Sequence, residues 1–164
     1  MTARTHDRQE LLSGQSSLVT MISESEPALI CHLHNELDIN RARYLLSELG
    51  RSFLIPPIEL MRMITAASEL CSNAVKYAHG GVICAWVNDD STTYRTREFT
   101  IKVADEGPGI PNIEWAFREK TSSGGTLGLG LSGTKRLVDS LYIESPIQGR
   151  SYGTIITLKS IWHH

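Results

Sequence analysis

The sequence predicts an α+β fold, a two-layer sandwich with helices on one face of a mixed, mostly antiparallel sheet. The order of elements carries this reading. Two helix-period segments come first, then two strand-like runs joined by a polar turn, then glycine-rich sequence with one more helix and a closing strand pair. The size agrees, since 164 residues with 41% apolar and 21% charged side chains make one ordinary globular domain. No apolar run approaches the roughly 18 residues that a membrane helix needs. A net charge of −2 lacks the basic excess that phosphate neutralisation requires. Neither a membrane nor a nucleic acid is therefore an expected partner.

Residues 1–26 mix Ser, Thr, Gln, Glu and Arg with little periodicity and hold no apolar signal-like stretch, so a flexible tail is expected there. Ala28 to Leu33 is a short apolar strand. Asp38 then reads as an N-cap for a helix marked by Ile39, Ala42, Leu45, Leu46, Leu49 and Phe53, with Gly50 ending or loosening it. After Pro56 and Pro57, a longer helix spans about Ile58 to Ala78. Its stripe is Leu60, Ile64, Ala67, Cys71, Ala74 and Ala78, in alternating steps of four and three. Gly80 and Gly81 stop it. Val82 to Val87 and Phe99 to Val103 form a hairpin across a polar turn. Nine of the thirteen glycines then fall between Gly107 and Gly153. They punctuate two helices, Ile113 to Glu119 and about Leu129 to Ser140, before strands at Leu141 to Ser145 and Thr154 to Ile161.

Three clusters carry chemistry. Glu69 and Asn73 lie four apart on the long helix and share a face away from its apolar stripe. A carboxylate beside a carboxamide supplies one base and one neutral oxygen ligand, of the kind Mg²⁺ accepts alongside water and phosphate oxygens. Taken alone, the pair is also an ordinary polar helix face. Asp105 follows a strand and precedes Gly107 and Gly109, so backbone can approach a flat ligand while the carboxylate accepts from an exocyclic amine. The same residues also suit a simple turn. Ser122 to Gly133 is glycine-rich and feeds a helix N-terminus, which suits phosphate oxygens, though neither a P-loop nor a dinucleotide fingerprint is present. Lys135 and Arg136 read either as phosphate contacts or as solvated helix charges. Three cysteines without a CxxC pair, and histidines without ligand spacing, leave zinc chemistry without support. They fit a reducing, cytoplasmic setting.

Glu-x-x-x-Asn, then Asp-x-Gly-x-Gly about 32 residues later, then Gly-x-Gly before a helix, then Gly153-Thr154 opening the last strand, together resemble the GHKL (Bergerat-fold) ATPases. The resemblance covers about residues 28 to 162. Within that superfamily the chain looks most like the RsbT-type serine/threonine switch kinases of the stressosome. Glu36 to Gly50, Asp105 to Glu114, Ser122 to Ser140 and Lys159 to Trp162 carry this likeness. The segment Asn73 to Ala78 is closer to anti-sigma and histidine-kinase relatives, and Thr126 lengthens the glycine run by one residue.

The resemblance implies a Bergerat-type ATP-binding kinase domain over residues 27–164, with ATP and Mg²⁺ as cofactors. By that likeness Asn73 binds Mg²⁺ and Glu69 orients or deprotonates the acceptor hydroxyl. Asp105 reads the adenine amine, with Thr154 assisting through water. Gly107 and Gly109 line the base pocket, and Gly128 and Gly130 the phosphates. Ile110, Gly124, Gly125, Leu127, Leu129 and Leu131 are further ATP-binding residues, and residues 122–127 are part of a lid that orders over ATP. The implied function is phosphorylation of a STAS-domain scaffold or antagonist protein, followed by activation of a PP2C-type phosphatase once the kinase is released. Three alternatives stand beside it: an anti-sigma factor that sequesters a sigma factor, a non-catalytic ATP-binding switch, and a histidine-kinase fragment suggested by His34 to Leu37. The last would need a helical-hairpin dimerisation domain ahead of the ATP site.

Overall fold

A computed structural model describes residues 18–90, 96–118 and 130–163. In chain order these form β1 (Leu29–Leu33), α1 (Glu36–Ser52), α2 (Pro57–Ala78), β2 (Gly81–Asp90), β3 (Thr96–Asp105), α3 (Ile113–Arg118), α4 (Gly130–Leu137), β4 (Ser140–Glu144) and β5 (Thr154–His163). Residues 18–22 are helical as well. The five strands make one sheet in the order β1-β2-β3-β5-β4. Every described pairing is antiparallel, so the mixed character expected of the sheet is not seen among these strands.

The start of α1 lies earlier than Asp38. Asn35 is the N-cap, its side chain accepting the Asp38 N–H at 3.2 Å. Asp38 sits three residues further in and reaches back to accept the His34 N–H at 2.9 Å. The two side chains thus satisfy backbone donors in the manner of a capping box. Gly50 does not end the helix, which runs on to Ser52. A Cβ at position 50 would stand 2.3 Å from Leu60 Cδ1, so the glycine lets α2 close on α1. Helix α2 begins with Pro57, whose missing N–H costs nothing in the first turn. It ends at His79, which adopts the left-handed conformation with φ 58°.

Helices α1 and α2 cover one face of the sheet. Met63, Ala67, Leu70, Cys71 and Ala74 pack there with Leu33, Ile83, Phe99, Ile101 and Leu158 in the main core. Alternate residues of β2 point the other way, and Val82, Cys84 and Trp86 join Ala104, Ile147 and Ile155 in a second buried cluster. What covers that cluster is the N-terminal segment. Leu18 and Ile22 are each 2% exposed within it. Lys102 Nζ donates to the Ile22 carbonyl at 3.0 Å, and Trp86 Nε1 donates to the Ser25 carbonyl at 3.1 Å. Residues 18–26 therefore belong to the folded domain, which corrects the expectation of a flexible tail through residue 26. Coverage on both faces also explains why residues 82–87 form an unbroken apolar run rather than an alternating one.

Candidate active site

The final turns of α2 pass beside the place where β3 ends and β5 begins. Asp105 closes β3, and its register partner across the ladder is Thr154, the first residue of β5. A cavity of about 490 Å³ opens between these elements, within the range of small-molecule sites. Its apolar lining includes Leu70 from α2, Val103 and Ile156 from the sheet, Ile110, and Leu131 from α4. Glu69 and Asn73 face it from α2, and Asp105 and Thr154 from the strand ends.

The structure thus brings Glu69, Asn73, Asp105, Gly109, Ile110, Gly130, Leu131 and Thr154 to one cavity. Gly107 is not among its lining residues and serves the site from behind. Its N–H donates to Asp105 Oδ1 at 2.9 Å, and its carbonyl accepts the Gly153 N–H at 2.8 Å. A Cβ on Gly107 would lie 2.6 Å from the Ala78 Cβ, so only a glycine lets this turn rest on the end of α2. Gly109 adopts φ +83°, a conformation that favours glycine. Gly124, Gly125, Leu127, Gly128 and Leu129, together with the expected lid, lie outside the described residues. Lys135 and Arg136 do not line the cavity, and the Lys135 ammonium stands 5.3 Å from the centroid of the Phe117 ring.

Burial pushes the Asp105 carboxyl above the usual carboxylate range, and the Gly107 N–H opposes that rise. One carboxylate oxygen, Oδ1, is held by the Gly107 N–H, and Asp105 lines the cavity. Among the described residues no group of three or more His, Cys, Asp or Glu could hold a metal ion. The oxygen pair Glu69 and Asn73 fits a cation that takes its remaining ligands from phosphate and water. The three cysteines are free and buried, and burial raises their thiols, Cys84 to about 12, which makes them poor nucleophiles. No helix of the described residues is long and apolar enough to cross a membrane.

Three features escape a reading of the sequence. Lys76 and Tyr77 line the cavity, with the Lys76 ammonium 5.0 Å from the Tyr77 ring centroid. Their three- and four-residue steps from Asn73 continue the Glu69–Asn73 face, so helical spacing was the available signal. Trp115 of α3 stands at the cavity as a 57% exposed aromatic side chain. Ser145, just beyond β4, joins the backbone at Ile110 and Gly153 to the Thr154 hydroxyl. Nothing in local sequence marks it.

Comparison with known proteins agrees with this architecture. A family described as the histidine kinase-like ATPase domain matches residues 34–159. The chain is 34% identical over 110 residues to the serine/threonine-protein kinase RsbT of Bacillus subtilis (strain 168), covering 67% of this chain and 80% of the relative. It is 36% identical over 102 residues to the anti-sigma F factor of Clostridium acetobutylicum, covering 57% of this chain and 64% of that one. Two crystal structures share the fold. The SiaB–SiaC complex from Pseudomonas aeruginosa gives a TM-score of 0.55 at 13% identity, over 93% of this chain and 98% of the other. The RsbU and RsbW domains of Rv1364c from Mycobacterium tuberculosis also give 0.55, at 19% identity, over 82% of this chain and 32% of that longer one. A match that takes in well over half of the residues, on a sheet and helix layer that frame one cavity, establishes that the chain belongs to the histidine kinase-like (GHKL) ATPase family.

Proposed function

We propose that this chain is an ATP-dependent protein serine/threonine kinase that works by partner switching. The observation that carries the reading is the convergence of Glu69, Asn73 and Asp105 on one cavity, although they come from a helix and a strand end about 32 residues apart in sequence. Asp105 and Thr154 would receive the adenine, and Asn73 and Gly130, which line the same cavity, would meet the triphosphate side. By the resemblance of the glycine run, Gly128 would serve the phosphates with Gly130, and Gly124, Gly125, Leu127, Leu129 and Leu131 would be further ATP-binding residues. Bound Mg²⁺, held on the protein side by Asn73, supplies charge neutralisation at the phosphates.

Phosphoryl transfer asks a protein mainly for positioning and electrostatics. A serine or threonine hydroxyl of the partner attacks the γ-phosphorus. The new O–P bond forms as the bond to the bridging oxygen breaks, ADP leaves, and the hydroxyl proton passes to Glu69. The reading extends to a STAS-domain scaffold or antagonist as acceptor, to a PP2C-type phosphatase as the partner bound after release, and to a cytoplasmic stress-signalling setting. Support comes from the resemblance of the motifs and from the likeness to RsbT.

A second reading, an anti-sigma factor with the same ATP site, draws on the 36% identity to an anti-sigma F factor. Co-purification with a sigma factor rather than a STAS-domain protein would favour it. Transfer of labelled γ-phosphate from ATP to a STAS-domain partner tests the kinase. Glu69→Ala should slow transfer by about a hundredfold or more, the usual contribution of a general base, while ADP affinity holds. Unchanged transfer would remove Glu69 from the mechanism.

A further inference from the structure

The hydroxyl of Ser145 makes three contacts that fix where protons lie at the base end of the cavity. The Ile110 N–H donates to Ser145 Oγ at 2.7 Å. The Gly153 carbonyl, which can only accept, lies 3.1 Å from the same oxygen. Thr154 Oγ1 lies 3.0 Å away, in a contact where either hydroxyl could donate. A serine hydroxyl has one proton and two lone pairs. All three contacts are satisfied in one arrangement only: Ser145 donates to Gly153, and accepts from both Ile110 and Thr154. The opposite polarity would leave the buried Gly153 carbonyl without this donor.

Thr154 lines the cavity and is 5% exposed. With its proton committed to Ser145, it presents only lone pairs to a ligand. Its ladder partner Asp105 presents a carboxylate oxygen at the same end. Two acceptors side by side welcome a ligand edge that donates and penalise one that accepts.

We propose that Ser145 is a positioning residue that holds the Thr154 hydroxyl as an acceptor, so that the cavity selects a purine bearing an amine at position 6 over one bearing an oxo group. This rests on the reading of the cavity as a nucleotide site. It adds the residue that sets the polarity of that site, from outside the three sequence clusters. Ser145 also ties the end of β4 to the 109–110 turn, and a Cβ at Gly109 would lie 3.0 Å from its Oγ. A role limited to that packing would change affinity for every nucleotide alike.

Calorimetric Kd values for ATP and ITP, on the full chain and without any acceptor protein, separate these possibilities. The wild type should prefer ATP at least tenfold. Ser145→Ala frees the Thr154 proton to donate toward an oxo group, and the preference should shrink at least fivefold. In a Thr154→Val background the same serine change should alter the ratio less than twofold. A ratio untouched by Ser145→Ala, or an equal shift with and without the Thr154 hydroxyl, overturns the proposal while leaving the nucleotide site in place. A wild type that binds neither nucleotide overturns the site reading itself. Should Ser145→Ala fail to melt cooperatively, Ser145→Cys carries the same test, because a thiol is a poor donor and acceptor.

Discussion

Asp105→Asn changes little volume yet removes one charge and turns one acceptor into a donor. The Gly107 N–H now held at 2.9 Å by Oδ1 can still bond the amide oxygen. The amide NH₂ then takes the place of Oδ2 and faces the cavity, where it opposes a ligand amine instead of accepting from it. A hydrogen bond to a charged acceptor is worth about 1.5–3 kcal/mol, and each 1.4 kcal/mol is about tenfold in Kd. ATP affinity should therefore fall about ten- to hundredfold by titration calorimetry. The fold should not suffer. Burial raises the Asp105 pKa above its unfolded value, so its stabilising contribution is fully present below the unfolded pKa and is lost as pH rises through the folded pKa. At neutral pH the charged carboxylate is a cost, and the amide variant should melt at or above the wild-type temperature, with the difference closing in acid. Wild-type ATP affinity should weaken on acidification from above the ordinary carboxylate range, whereas that of the variant should stay flat. An affinity within twofold of wild type would refute the acceptor argument. A lower melting temperature at neutral pH would refute the burial argument.

Two further substitutions probe the frame around the site. Gly107→Ala places a methyl 2.6 Å from the Ala78 Cβ and 3.1 Å from its Cα. Overpacking against a helix backbone should cost about 1–3 kcal/mol, read as a lower urea midpoint, and an unchanged midpoint would mean that the turn does not rest on α2. Ile22→Ala removes a side chain that is 2% exposed on the back of the sheet. It should cost about 2–5 kcal/mol, and a near-neutral result would mean that residues 18–26 do not hold that face in solution.

Long-range periodicity made most of the fold legible. The alternating stripe of α2 placed Glu69 and Asn73 on a face beside it, and the helix is found at Pro57–Ala78 where Ile58 to Ala78 was expected. Two local signals mislead when taken without their partners. Asp38 has the chemistry of a cap, but Asn35 occupies the position from which a side chain reaches the Asp38 N–H. Gly50 looks like a helix stop until Leu60 is placed against it. Leu18 and Ile22 stand at helical spacing in the short apolar segment Leu18 to Ile22, which is too brief to show periodicity and is flanked by polar residues. Their burial depends on the back face of β2, which local sequence does not announce. Ser145 was illegible for the same reason, since its partners at Ile110 and Thr154 lie 35 and 9 residues away.

The packing of Ala78 on Gly107 bears on how the two ends of a nucleotide are held in register. Asn73 and Glu69 sit about one and a half and two and a half turns before Ala78 on the same rigid helix, and Asp105 sits two residues before Gly107. A Cβ at position 107 would fall within 2.6 Å of the one at position 78, so the turn and the helix are already at their closest approach there. The carbonyl of Gly107 is tied in turn to the Gly153 N–H, which fixes the neighbouring start of β5 and Thr154. The group that would meet the base and the groups that would meet the phosphates are thereby referred to one contact between two small residues. Preorganisation of this kind requires supporting residues whose own conformations are locked. Alanine and glycine meet that requirement, because neither has a rotamer to adjust. Asp105, the Glu69–Asn73 helix face and the start of β5 remain aligned in this way although the chain between them is long.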